Sequence, residues 1–267
     1  MIQSNDANTQ YTDSRNLSAR ASLHAKYARV PWFHWVHDRM SITASSRVLD
    51  VGCGPGWFWK AQAARMPDGL MLTLLDSSPQ LVEDARSGVC GTGRYAEVQG
   101  VIGDAMALPF EDGWFDAVVM MHMLYHVDDQ IRALTEASRV LKQGGRIYVT
   151  TNALDNMGAL NAIVAQIFPD EGADRGARAF SLDDAERALT LLFSSFRHQD
   201  LEDTLDCTNP ADVIAYALSM PPAIDASDIQ RSELADLIGA AFGKSQGVLR
   251  INKHSGIVEA VKVMLPL

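Results

Sequence analysis

The stretch VLDVGCGPG, residues 48–56, decides how this chain is read. A short apolar run carrying one acid, Asp50, enters glycines at 52, 54 and 56, and a helical pattern starts at Trp57. Glycines at such a turn let the backbone bend tightly and approach a ligand with no Cβ in the way. The helix start beyond it offers N–H groups to an anion, either a phosphate or a carboxylate. The dinucleotide fingerprint Gly-x-Gly-x-x-Gly needs a third glycine for close helix–strand packing. Counted from Gly52, that place is held by Trp57, whose indole argues against nicotinamide or flavin binding.

Strand and helix patterns alternate on both sides of this turn. The sequence predicts strands over 47–52, 70–76, 96–104, 115–122 and 146–152, which implies a parallel sheet covered on both faces. Ser78 and Pro79 start one helix. Another opens at Asp128 or Asp129, carries Ile131, Leu134, Ala137, Val140 and Leu141 on one face, and is closed by Gly144-Gly145. Before the first strand, Tyr27 to Met40 reads as an aromatic-rich helix. After Asn152 the alternation loosens. Helices are predicted at about 156–168 and 182–193, the second capped by Ser181 with Asp184 three residues on, and a sixth strand at 196–205. A helix from Asn209-Pro210 follows, then one from Ser227 with Ile229, Leu234, Leu237, Ile238 and Phe242 inward. The last stretch, VLRINKHSGIVEAVKVML, reads as a strand, a Ser-Gly turn and a final strand. The expected organisation is an N-terminal helical lid over 1–44, then one domain over 45–267 with helical insertions at about 156–193 and 208–244.

Composition narrows the function. With 47% hydrophobic and 21% charged residues, the 267-residue chain has enough apolar material for a large core. The net charge of -10 and the lack of a basic stripe argue against a nucleic-acid partner. No apolar run is long enough to span a bilayer, and the polar N-terminus lacks a signal core. Cys53, Cys90 and Cys207 show neither disulfide nor zinc spacing, so no metal and a reducing cytoplasm are expected.

Two more acids fall at strand ends. Asp76 can accept both hydroxyls of a ribose, and Asp104, in Gly103-Asp104-Ala105, can accept from an adenine amine. Either acid alone could be a turn or cap residue. Three loops at the carboxyl ends of neighbouring strands, taken in order, line the crevice where open α/β sheets bind ligands.

VLDVGCGPG, LLDSSP, GDAMALPFEDGWFDAVVMMHMLYHV and SRVLKQGGRIYVTTN together resemble the class I S-adenosylmethionine-dependent methyltransferases, in the flavour of the type 11 small-molecule group. The resemblance covers about residues 45–152. It implies a Rossmann-like, mostly parallel seven-stranded sheet with the last strand antiparallel, and S-adenosyl-L-methionine as cofactor. It also implies that Gly52, Cys53 and Gly54 border the methionine portion, that Asp50 helps fix its amino group, usually indirectly, and that Asp76 and Ser77 hold the ribose. Asp104 and Ala105 would hold the adenine, and Met121 would flank the cofactor. Trp57 departs from the small residues common there and is a candidate wall of the cofactor pocket. By the same resemblance, Tyr11 and Arg20 are candidates in a lid, facing the sulfonium and the methionine carboxylate.

Methyl transfer calls for proximity, orientation, a dry site and, for a hydroxyl or protonated amine acceptor, a base. His122 is the first candidate base, with Tyr125 and His126 as secondary candidates. Tyr27, Trp32, Phe33 and Trp35 are candidates to cap a flat acceptor, or else one side of an amphipathic helix. The expected reaction is methylation of a small natural product or metabolite at O, N or C. The alternatives are a non-catalytic S-adenosylmethionine-binding regulator or partner subunit, and a nicotinamide-dependent oxidoreductase.

Overall fold

The computed structural model describes residues 14–169, 174–193 and 195–263, with backbone only for Ser14–Leu17 and Pro222. The elements are α1 (Ser14–Tyr27), α2 (Trp32–His37), β1 (Arg47–Val51), α3 (Trp57–Gln62), β2 (Met71–Asp76), α4 (Pro79–Cys90), β3 (Glu97–Ile102), β4 (Phe115–Met121), α5 (Gln130–Val140) and β5 (Leu141–Asn152). They continue with α6 (Gly158–Val164), α7 (Arg175–Ala179), α8 (Leu182–Leu192), β6 (Ser195–Cys207), α9 (Pro210–Leu218), α10 (Pro221–Ile224), α11 (Asp228–Lys244) and β7 (Leu249–Val261). Among the described residues no helix is long and apolar enough to cross a membrane.

The strands form one seven-stranded sheet in the order β3-β2-β1-β4-β5-β7-β6. β1 runs parallel to β2 and β4, β2 to β3, and β4 to β5. Only β7 is antiparallel, so the fold is the Rossmann-like one that the sequence implies. The reversal shows in backbone bonds: Gly144 N donates to Lys262 O at 2.7 Å and Lys262 N to Gly145 O at 2.9 Å.

The chain divides into two compact units. One comprises Phe33–Asn152, Phe180–Asp200 and the residues from Gly256 on. Its core packs Leu49, Val51, Val118 and Met120 of the central strands against Leu134, Ala137 and Val140 of α5 and Ala185 and Leu189 of α8. Caps fix where its helices begin. Asp129 accepts from Arg132 N, and Ser181 and Asp184 form a reciprocal capping box. The other unit comprises the residues up to Trp32, Ala153–Ala179 and Leu201–Ser255. There Leu23, Leu160, Val213, Tyr216, Leu234, Ile238, Phe242, Leu249 and Ile251 make a second core.

Several local readings are corrected. The Ser-Gly turn is absent, and β7 runs unbroken through Ser255-Gly256. A Cβ on Gly256 would lie 2.8 Å from Gln199 O and 2.9 Å from Leu182 Cδ2, so this glycine serves close packing and not a bend. Gly144-Gly145 lies inside β5, and α5 already ends at Val140. Ile131 and Ile229, expected inward, are 46% and 71% exposed. Each is the second residue of its helix, before the helix reaches the core it later covers. The aromatic helix is broken at Pro31 into the end of α1 and the short α2, because the residue before a proline is pushed out of helical geometry.

Candidate functional site

The glycine turn joins β1 to α3. Gly52, Gly54 and Gly56 have φ of 68, 51 and 69°, a region that a side chain disfavours. Gly52 N and Cys53 N both donate to Leu75 O, at 2.8 and 3.0 Å. Gly54 N donates to Asp76 Oδ2 at 3.0 Å, and Gly56 N to Cys53 O at 3.1 Å. The amides of the turn are thus bonded within the protein, so the glycines supply bare backbone for close approach.

Each glycine has its own spatial reason. A Cβ on Gly52 would fall 2.7 Å from Met123 Cβ, so the loop after β4 sits directly on the turn. A Cβ on Gly56 would fall 3.1 Å from Ala85 Cα, and this glycine sets the close packing of α3 on α4. The packing role that the dinucleotide fingerprint places one residue later is filled here, which lets the half-buried Trp57 open α3. A Cβ on Gly54 would meet nothing within 4 Å.

Asp50, inside β1, is 2% exposed. Its Oδ2 accepts from Trp59 Nε1 at 2.7 Å, while its Oδ1 is buried with no hydrogen-bond partner. Burial pushes its pKa up to about 7; the Trp59 bond opposes the rise and the charge of Asp76 adds to it. The half-buried Cys53 thiol is pushed up by burial and by the same two acids. Asp76, at the end of β2, ties two loops together: Oδ2 takes the Gly54 amide and Oδ1 the Ser78 amide at 3.0 Å. Its backbone O accepts from Gly103 N at 3.0 Å, which holds the third loop alongside. In that loop the exposed Asp104 accepts from Met106 N at 2.8 Å, and Ala105 is buried. Ser77 is exposed, and Met121 is half-buried at the end of β4.

His122 follows β4 with φ of 50°, a left-handed conformation uncommon for a residue with a side chain. Its amide donates to Thr150 O at 2.9 Å. The ring centroids of His122 and Tyr125 are 6.5 Å apart, and those of Tyr125 and His126 4.5 Å. All these residues belong to one compact unit.

The remaining candidates have the following surroundings. Trp35 is buried beneath the Arg39 guanidinium, 3.8 Å from its ring centroid. Phe33 meets Phe58 edge-on at 5.8 Å. Tyr27, Trp32 and Arg20 belong to the other unit. There Tyr27 Oη donates to Asp212 at 2.5 Å, Arg20 Nη2 donates to Ser219 O at 2.5 Å, and the Lys253 ammonium sits over the Trp32 ring. Tyr11 lies outside the described residues. Sequence reasoning missed Trp59 and Met123. Neither carries a signal of its own, since the role of Trp59 appears only once α3 packs back on β1 and that of Met123 once β1 and β4 stand side by side.

Comparisons with known proteins agree with this geometry. Residues 49–149 match the type 11 family described as a methyltransferase domain. The ubiquinone/menaquinone biosynthesis C-methyltransferase of Geobacter sp. (strain M21) is 30% identical over 118 residues, 44% of this chain and 50% of that protein. An O-methyltransferase of Aspergillus nomiae is 34% identical over 120 residues, 45% of this chain and 52% of that protein. The chain thus spans about half the length of the curated relatives it matches. An N-methyltransferase of Haemonchus contortus, solved with phosphomonomethylethanolamine and S-adenosylhomocysteine, shares the fold with a TM-score of 0.61 at 18% identity. That likeness covers 99% of this chain and 61% of that one.

Proposed function

We propose that this chain, whose residues 49–149 match a family described as a methyltransferase domain, is a class I S-adenosylmethionine-dependent methyltransferase that binds S-adenosylmethionine at the glycine turn and methylates a small organic acceptor. The observation that carries the reading is the buried, unpartnered Oδ1 of Asp50 beside that turn. An orphaned carboxylate oxygen in a dry place is costly unless a ligand donor completes it. The amino group of a methionine moiety is such a donor. The open space that a Cβ would fill at Gly54 suits close approach of the same ligand. Asp76 has lone pairs left over for a ribose diol, with Ser77 next to it, and Asp104 would accept from an adenine amine.

When bound, the cofactor supplies a methyl group on a sulfonium, already activated for transfer. The protein's task is orientation and the exclusion of water. Met123, packed on Gly52, and Met121 furnish apolar surface next to the turn. His122 is the proposed base. Its strained backbone is maintained by the bond to Thr150, and strain of this kind concentrates where a side chain must point in one direction. Tyr125 and His126 stand beside it as secondary candidates. The relatives include enzymes named for methylation at carbon and at oxygen, and a natural product or metabolite is the acceptor class proposed here.

Calorimetric titration of the full chain with S-adenosylhomocysteine and with NAD tests the reading. The expected result is saturable binding of the first alone, weakened on the order of a hundredfold by Asp76→Ala, which removes charge-assisted bonds to ligand and loops. Binding of NAD alone, or undiminished binding by the variant, overturns it. Transfer of a labelled methyl group to a panel of hydroxyl, amine and activated-carbon acceptors then separates an enzyme from a mere cofactor binder.

A further inference from the structure

β7 turns Leu249, Ile251, Lys253 and Ser255 to its buried side. Leu249 and Ile251 join the core that contains Leu23 of α1 and Tyr216 of α9. The third place in the row is therefore a core place, and a lysine fills it. Lys253 is 5% exposed, with its ammonium 5.0 Å from the centroid of the Trp32 ring. Among the described residues it makes no hydrogen bond or ion pair, only this contact with a ring face.

A further donor nearby is left over. His24 lies on α1 next to the core residue Leu23, its ring edge-on to Tyr216 at 5.7 Å, and its Nδ1 is buried without a partner. Asp203 of β6 acts on the charges of both Lys253 and His24. Its oxygens are already engaged, with Oδ2 on the amides of Arg29 and Val30 at 3.1 Å and Oδ1 on Thr204 N at 2.7 Å.

We propose that Lys253 and His24 form a binding site for the oxyanion of a small ligand, a carboxylate or a phosphate, built from residues that take no part in the glycine turn. A lone buried ammonium is expensive even after relaxation, and a methionine or leucine would serve the packing better. One oxyanion offers acceptors to both the ammonium and the imidazole N–H, and it favours the ammonium by charge as well. Protonation agrees with the geometry. Burial lowers the Lys253 pKa to about 8, with Asp203 opposing, so the ammonium persists at neutral pH. Burial first, and then the Lys253 charge, lower His24 to about 4, which leaves a neutral ring able to donate from one nitrogen.

The test is calorimetric titration of the full chain with inorganic phosphate and with benzoate, at ionic strength held constant with sodium chloride. Saturable binding of at least one probe is expected, weakened at least tenfold by Lys253→Met and also by His24→Phe, and lost progressively as pH rises past 8 and the ammonium discharges. Lys253→Met should keep or raise the melting temperature, so loss of binding is not loss of fold. If neither probe saturates, or both variants bind as the parent does, the lysine is a packing residue and the proposal falls. S-adenosylhomocysteine, which has its own carboxylate, is then added to the probe-saturated protein. Displacement of the probe assigns the oxyanion to the cofactor, and independent binding assigns it to a second ligand. Asp76→Ala tests the glycine-turn reading separately.

Discussion

Asp50 and Lys253 are both nearly sealed from solvent, at 2% and 5% exposure, and each meets a tryptophan. They meet it differently. Asp50 takes the edge of Trp59 through a real hydrogen bond and keeps one oxygen unpaired. Lys253 takes the face of Trp32, which attracts charge but offers no acceptor atom. In each unit the informative polar group is the one whose partners run out. Exposed pairs such as Arg86 with Glu83 are complete in themselves and contribute little.

This contrast has a signature in pH, and it is the largest effect expected. Asp50 holds its proton up to about 7 in the fold, against an ordinary value of 3.8. Between those values the native state binds more protons than the unfolded chain, so stability falls as pH rises, by at most about 1.4 kcal/mol per unit. Lys253 mirrors it. Its folded value of about 8 lies below the ordinary 10.5. There the unfolded chain binds more protons, and stability rises from about pH 8 upward. Urea denaturation over a pH series measures both limbs. Asp50→Asn should flatten the acid limb alone and Lys253→Met the alkaline limb alone. Limbs that survive these substitutions would mean that neither charge is strained.

A smaller effect sharpens the acid side. Trp59→Phe removes the one hydrogen bond to Asp50 and should cost about 2 kcal/mol, since that bond joins a buried donor to a carboxylate. It also removes what holds the pKa down, so the falling limb should extend to higher pH. A stability loss with no change in the limb would reduce Trp59 to packing.

The sequence made the glycine turn and the acids at 50, 76 and 104 readable because their meaning is local: a strand end, a turn and a residue type within a few positions. Trp59 and Met123 escaped because each acts across a gap that only tertiary packing closes: α3 folded back on β1 for Trp59 and Asp50, and β4 set beside β1 for Met123 and Gly52. The buried alternation 249-251-253 was in plain view, but Ser255-Gly256 looked like a turn and cut the strand short. Without knowing that Gln199 and Leu182 crowd that glycine, nothing told packing from bending. Ile131 and Ile229 failed for a related reason, since helical period gives a face and says nothing about where the covered part begins.

The smallest expected effect concerns His122, where backbone and side chain must be told apart. Its φ of 50° is tolerated by asparagine but disfavoured for alanine. His122→Asn should therefore change stability by no more than about 0.5 kcal/mol, whereas His122→Ala should cost about 1 kcal/mol. Both remove the imidazole. If His122 is the base, the two variants lose turnover to the same extent, with affinity for S-adenosylhomocysteine kept, measured by single-turnover transfer of a labelled methyl group. If only the alanine variant loses turnover, the loop's conformation matters and the ring does not. The base must then be sought at Tyr125 or His126, whose rings meet at 4.5 Å just beyond the strained residue.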